Sequence, residues 1–420
     1  MHTMEYAEVE VNMKDDFHCP LRKSKKVHSI GLVDYLKWVV NSSDYETPLL
    51  LPPIQRGFVW KPKQIQDLWD SLLREMPIGA FLVRKFESGN AFARTISGSN
   101  AKVGKIEKAG WHLLDGQQRT LAMLLGYPCG VEMEHKLWVD FNKDGYRNGT
   151  RFQFRVTTPY QPFGYLPNGG RLPLHERRDA LKLWRKRKGI PKDQEIDYGS
   201  IFDDAITKPW IGEKQQESQE QLIVPVSDIW DASEAEEIIE KLNFELEFTD
   251  ERFQRIQSFI HGLDKLKEQE VALIEAPVGV FVPDIEKEKT EQDFQTLLFE
   301  RISRGGTQLS PDELLFSMVK QEWPEAHNLV YDLQKTVGSL MKPTDFVMTA
   351  FRIASLLASD VADQSQHRVG RAIADSPSHT TVRTAPYTAV LPTQTLFMHT
   401  HHQATQAPFP GRNCSSTRSW

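Results

Sequence analysis

The stretch that most limits what this chain can fold into is residues 111–121, WHLLDGQQRTL. An apolar run (Trp111, Leu113, Leu114) meets five polar residues, Asp115 to Arg119, and a second apolar run follows at once. The first run is short enough for a buried strand, and the second continues with helical spacing to about Leu125. The chain must therefore pass from strand to helix through a turn of only a few residues. Gly116 permits that turn and lets a ligand approach the backbone. A helix starting there exposes its first N–H groups and the positive end of its dipole, which favours anions. Arg119 adds a planar, permanently charged fork suited to phosphate oxygens. Asp115 can accept from Arg119, accept from a ligand hydroxyl, or hold a magnesium ion carried by a nucleotide. Two readings are open on these residues alone. One is a phosphate-binding turn; the other is a helix capped by Asp115, with Arg119 paired to it on the surface.

The flanking sequence predicts mixed α and β structure. Residues 29–41 have helical spacing, with Ser29 as an N-cap. Pro62 opens a strong amphipathic helix whose stripe is Ile65, Leu68, Trp69, Leu72, Leu73 and Met76. Pro77 ends it, and IGAFLV (78–83) reads as a buried strand. Residues 88–110 read as a loop insertion, and 136–142 and 151–156 as strands. Residues 157–173 carry four prolines and read as loop. A basic amphipathic helix is expected at 174–188. From 228 helices dominate, at 233–247, 250–268, 291–303, 311–322, 325–340 and 344–358, interrupted by a strand-like run at 271–282. The expected organisation is α+β: an extension (1–28), a mixed domain (29–227), a mainly helical domain (228–360) and a tail (361–420). From Ser376 to Trp420 the chain has no Asp, Glu or Lys. That tail reads either as disordered or as frame-shifted sequence.

Global properties narrow the function classes. The 420 residues include 51 Lys and Arg against 57 Asp and Glu, a net charge of −6, so any nucleic-acid surface must be local. No apolar run approaches the ~20 residues of a membrane helix. The N-terminus has no apolar signal core, and the 3 cysteines form neither a disulfide framework nor a zinc pattern. A cytoplasmic location is expected, without a metal site in the chain. His399, His401 and His402 lack partner ligands at metal spacing.

Two further constellations accompany the turn. IQRGFVW (54–60) places Gln55 and Arg56 after two prolines and before the amphipathic helix. LLFERISRGGTQLSPDELLFSMVK (297–320) reads as a helical hairpin with a Gly305-Gly306 turn and a capping box from Ser310. Taken together, the three segments resemble the GmrSD restriction endonuclease N-terminal domain family. The resemblance lies in Gln55, Arg56, Phe58 and Trp60; in Pro77-Ile78-Gly79; in Asp115 to Arg119; and in Phe299, Arg301, Ile302, Gly306 and Leu309. The chain departs from the pattern at Ile54 (often Tyr), Thr120 (usually Leu) and Ser303 (usually Asn). The last departure puts a hydrogen-bonding role at 303 in doubt. The likeness covers about 29–141 and 291–322.

The resemblance implies a ParB/sulfiredoxin-like first domain in which a related strand-turn-helix holds nucleotide phosphate. It implies a defence system against foreign, often modified, DNA, with nucleotide hydrolysis tied to the Asp-Gly-Gln-Gln-Arg motif. On that basis Asp115, Gln118, Arg119 and Arg56 are the candidate catalytic residues. Gly116, Gln117 and Gln55 are candidate nucleotide contacts, with Arg301, Ser303 and Gly306 as contributors from the third motif. The implied cofactor is an NTP with Mg2+. The implied partners are DNA, a separately encoded nuclease subunit and a second copy of the chain. No HNH-type motif follows residue 360, so DNA cleavage by this chain alone is not expected. Two other functions compete. One is a non-catalytic DNA sensor using the basic helix through Arg177, Arg178, Arg185, Lys186 and Arg187. The other is a truncated, inactive remnant.

Overall fold

The structure, a computed structural model, describes residues 26–89, 91–97, 101–130, 133–196, 198–212, 222–276, 301, 309–337 and 343–362. In chain order the elements are β1 (Val27–Gly31), α1 (Leu32–Val40), β2 (Leu49–Leu50), α2 (Pro62–Leu73), β3 (Phe81–Phe86), β4 (Ala91–Ala93), β5 (Gly104–Ile106), β6 (Gly110–Asp115) and α3 (Gln117–Leu124). There follow β7 (Lys136–Asp144), β8 (Phe152–Thr157), α4 (Leu174–Lys188), α5 (Tyr198–Asp203), β9 (Ile223–Pro225), α6 (Ala235–Lys241), α7 (Glu251–Lys267) and β10 (Glu270–Glu275). The described chain closes with α8 (Pro311–Glu322), α9 (Ala326–Val337) and α10 (Pro343–Ala362). The class is α+β, as the periodicities predict.

The strands form three sheets. The largest has the order β1-β10-β3-β6-β2, a second has β8-β7-β9, and β4 pairs with β5 alone. In the large sheet β10 runs antiparallel to β1 and parallel to β3, while β3 and β6 are antiparallel. The chain therefore falls into compact units at 1–329 and 330–420. Residues 228–276, expected to open a separate helical domain, instead contain β10, which lies in the largest sheet, while β9 falls within the expected mixed domain. A strand inserted between β1 and β3 cannot belong to a different core.

α2 is the central packing helix. Ile65, Leu68, Trp69, Leu72 and Leu73 are buried, and the Trp69 indole donates to the Ala122 carbonyl at 2.9 Å, tying α2 to α3. Met76, expected to continue the stripe, is 48% exposed. The helix stops at Leu73, and Glu75 takes a left-handed φ of 57°, which turns Met76 away from the core. From α7, Phe259 meets Phe141 and Phe152 edge-on at 5.5 and 5.0 Å, which joins the helix to the smaller sheet.

Other local differences have simple causes. Ser29 lies in β1 rather than capping α1, because pairing with β10 claims its backbone. The strand expected at 78–83 begins at Phe81, since Gly79 is left-handed at φ 83° and breaks the extended run. Residues 88–110 are not all loop; they contain the β4–β5 hairpin. The helix expected at 233–247 is shorter because Asn243 takes a φ of 56°. Of the helix expected at 291–303 only Arg301 is described, and the tail expected from 361 lies outside the described residues apart from the last two residues of α10.

Two histidines, His112 buried and His135 half-buried, carry a pH dependence. His112 stacks on Phe86 at 4.4 Å, and burial, then Arg84, push its pKa down to about 3. His135 meets Phe58 edge-on at 4.8 Å, and burial pushes it down to about 4. Both folded values lie below the unfolded value, so the unfolded state binds more protons as the pH falls. The stability they contribute is fully present above about pH 6.5 and is lost towards pH 4. We expect urea stability to fall by about 1.4 kcal/mol per pH unit for each histidine in that window. His135→Phe should flatten the slope, and a flat wild-type profile from pH 7 to 5 would contradict the assignment.

Candidate functional site

The predicted strand–turn–helix is present. β6 ends at Asp115, Gly116 turns the chain at φ 98°, and α3 begins at Gln117. The glycine is required twice over. Its φ is left-handed, and a Cβ there would lie 2.2 Å from the Phe81 ring. The first N–H groups of α3 have no carbonyl partner within the helix.

The side chains of the turn grip the Gln55–Arg56 loop. Gln117 Nε2 donates to the Arg56 carbonyl at 2.5 Å, and Gln118 Nε2 donates to the Gly57 carbonyl at 2.8 Å. Gln118 Oε1 accepts from the Val59 and Trp60 amides at 2.8 and 3.3 Å. In return, Gln55 Nε2 donates to the Leu114 carbonyl at 2.6 Å. An amide side chain carries a donor and an acceptor on one plane, so it can satisfy both edges of a loop that pairs with no strand. This is the physical need that the two adjacent glutamines meet.

Arg119 turns the other way. Its guanidinium donates to the Ile78 and Ala80 carbonyls at 2.7 and 2.9 Å and to Asp115 Oδ2 at 3.0 Å. It lies over the Phe81 ring at 4.7 Å. A Cβ on Gly79 would come within 2.7 Å of Nη1, so the Pro-Ile-Gly segment is shaped around this arginine. The Asp115 side chain remains 43% exposed and that of Arg119 only 17%. Thr120, where the family pattern has Leu, is fully buried and exchanges a 2.6 Å hydrogen bond with the Tyr35 hydroxyl. Burial drives the Tyr35 hydroxyl pKa upward, so it remains a neutral phenol.

Arg56 and Arg119 thus lie on segments that touch, joined through Gln117, but their carbonyl and guanidinium partners differ. Arg56 is half-buried, and burial lowers its pKa against the opposing pull of Glu313. Arg301 is exposed; Ser303 and Gly306 lie outside the described residues. On the basic helix, Arg178, Lys186 and Arg187 are exposed and Arg177 is half-buried. Arg185 donates to the Pro191 and Gln194 carbonyls and so closes the loop after α4.

Arg94 and Lys320 also reach this neighbourhood, and neither belongs to the expected site residues. Arg94, in a segment read as loop, is buried and donates to the Arg56 carbonyl at 3.0 Å. Lys320 is buried on α8 and donates to the Gln55 carbonyl at 2.6 Å. The signal for Lys320 was its place four residues after Phe316, on the buried face of that helix. Among the described residues there is no group of His, Cys, Asp and Glu able to hold a metal ion, and no helix long and apolar enough to cross a membrane.

The turn geometry makes a sharp prediction. Gly116→Ala combines a disfavoured φ with overlap on Phe81 and should destabilise the protein by roughly 2–4 kcal/mol. Gly57→Ala, with nothing within 4 Å of the new Cβ, should change stability little. Chemical unfolding of both variants checks this, and equal stabilities would contradict the geometry.

A stretch of 110 residues is 30% identical to an uncharacterized protein of Methanocaldococcus jannaschii, covering 24% of this chain and 19% of that protein. The chain thus spans about a fifth of the length of that relative. The profile described as GmrSD restriction endonuclease, N-terminal domain, matches residues 36–320, which contain all three motifs. That match covers more than half of the chain, which therefore belongs to the GmrSD restriction endonuclease N-terminal domain family.

Proposed function

We propose that the chain is the NTP-binding and NTP-hydrolysing component of a modification-dependent restriction system acting on foreign DNA. The observation that supports this reading is the clamp between turn and loop. It holds the backbone of Arg56 and Gly57 against the side chains that open α3, so that the loop carrying a cationic fork and the helix start carrying free N–H donors are neighbours. Donors held in place before the reaction stabilise developing charge without reorganisation, which is what phosphoryl transfer needs. The roles then divide. The α3 N–H groups and Arg56 contact phosphate, and Asp115 offers its Oδ1 to Mg2+ or the attacking water. Arg119, whose guanidinium already serves two carbonyls and Asp115, fixes the turn and acts through it.

This division changes the informative mutation. Arg119→Ala removes three hydrogen bonds and should lower stability together with activity. Arg56→Ala leaves its own carbonyl bonds to Arg94 and Gln117 in place. Hydrolysis of ATP, GTP, CTP and UTP by the full chain, with Mg2+ and with or without DNA, should fall about 100-fold in Arg56→Ala. Its unfolding midpoint should fall less than that of Arg119→Ala. A folded wild type without turnover, or an Arg56→Ala variant with full turnover, would remove this reading.

A DNA-sensing role has its own observation. Arg178, Lys182 and Lys186 are exposed at i, i+4 spacing on α4, whose buried face is Ala180 and Trp184. One helix face thus carries a row of cations able to follow a phosphate backbone. Replacing the three with Gln should weaken duplex DNA binding and reduce its salt slope by about 3. An unchanged slope would leave the row as solvated surface.

A further inference from the structure

α8 is attached differently from α2. Its buried side chains are Phe316, Ser317 and Lys320, and the apolar cluster that holds α1, α2, α3 and α7 together does not include Phe316. Leu314, Leu315, Met318 and Val319 are only half-buried. Elements with few buried apolar contacts open at low free energy, so the seating of α8 depends on polar bonds, made at two places. At the first, the Lys320 ammonium lies 4.9 Å from the centre of the Phe316 ring and donates to the Ile54 and Gln55 carbonyls at 3.3 and 2.6 Å. The second lies in the opening turn of α9. There the Asn328 amide accepts from the Val103 N–H and donates to the Val103 carbonyl, both at 2.8 Å, and His327 Nε2 lies 3.2 Å from the Ala101 carbonyl. Burial, then Arg94 and Lys320, push the His327 pKa down to about 3, so the ring is neutral. Residues 101–103 lead into β5, and Arg94, just after β4, donates to the Arg56 carbonyl at 3.0 Å. The 54–57 backbone, α8 with the start of α9, and the β4–β5 hairpin are thus bonded in a ring.

The Lys320 fastening is finely balanced. Its oxygen partners are carbonyls, which carry no net charge, so the cost of burying the ammonium offsets much of what the bonds contribute. Burial, then Arg94, lowers the Lys320 pKa well below the usual range, against a smaller opposing pull from Glu313. The loop that receives this contact is also the one that Gln117 and Gln118 clamp to the start of α3. A ligand that stiffens a loop lowers the ordering cost of any other contact made to the same loop. We propose that α8 is a nucleotide-responsive strap: occupancy at the 54–60 loop and the start of α3 tightens the docking of α8, with Lys320 and Asn328 as the two fastenings. The proposal rests on the nucleotide reading and adds the regulation of that site. Coupling of this kind is reciprocal, so a docked strap raises nucleotide affinity by the same factor. Through Asn328 and His327 the state of the loop also reaches the β4–β5 hairpin.

The test is hydrogen–deuterium exchange of the full chain, beside calorimetric titration with the β,γ-imido analogues of ATP, GTP, CTP and UTP and Mg2+. A saturating analogue should slow exchange of the amides from Phe316 to Gln321 at least about fivefold and leave those of α4 unchanged. Lys320→Met should lose that protection and bind the analogue at least about fivefold more weakly. Asn328→Ala, whose side chain touches neither the 54–60 loop nor α3, should also weaken binding, which a merely structural role would not do. It keeps the test decisive if Lys320→Met does not fold. Analogue binding without slower exchange in α8, or wild-type affinity in Asn328→Ala or in a folded Lys320→Met, overturns the strap and leaves the nucleotide reading intact. No analogue binding by the folded wild type removes both.

Discussion

Residues 54–60 form a loop whose backbone belongs to no sheet, yet it is bonded to α3 and α8 and buries Ile54 and Gln55. Its carbonyls at 54, 55, 56 and 57 accept from Lys320, Arg94, Gln117 and Gln118, and its amides at 59 and 60 donate to Gln118. Backbone groups placed there without partners would each cost a desolvation penalty. Satisfying them with side chains from three distant parts of the sequence is what allows the loop to be both irregular and fixed. The position of Arg56, the entry into α2 and the seating of α8 all follow from it.

The same logic explains why the Asp-Gly-Gln-Gln-Arg motif is polar while lying between two apolar runs. Its members face different directions. The glutamines face the 54–60 loop, and the arginine faces the 78–80 segment across Phe81. The glycine lets the Phe81 ring lie against the turn. A motif of this kind joins three chain segments at one point, so chemistry and architecture share its residues. Arg119 is the clearest case: a residue type that suits phosphate is committed here to backbone carbonyls. Two buried cations, Arg94 and Lys320, are committed in the same way to carbonyls of the 54–60 loop.

Much of the fold was legible because local pattern and tertiary role coincided. The α2 stripe, the strand–turn–helix at 110–124, the bounds of α4 and the capping box at Ser310 each follow from spacing and end chemistry that act over a few residues. Where the expectation failed, a long-range partner had prevailed. Ser29 reads as a cap until β10, some 240 residues later, draws it into a sheet. Residues from 228 read as the start of a helical domain until β10 slips between β1 and β3. Met76 reads as core until the left-handed backbone at Glu75 ends the stripe.

The sequence by itself determined the α+β class, the strand-to-helix turn with its obligatory glycine, and the family, since these depend on residue types at short, fixed spacings. Only the tertiary structure decided what each polar side chain of the motifs does. Hydrogen-bond direction is set by neighbours far away in the chain, and spacing is silent about them. Nothing in the order of residues 115–119 says that Arg119 turns to Ile78 while Gln117 turns to Arg56. Nothing in the sequence around Arg94 or Lys320 says that both end on the same loop. Burial of those two cations is a property of the assembled core, because a low dielectric exists only once the surrounding apolar residues have packed.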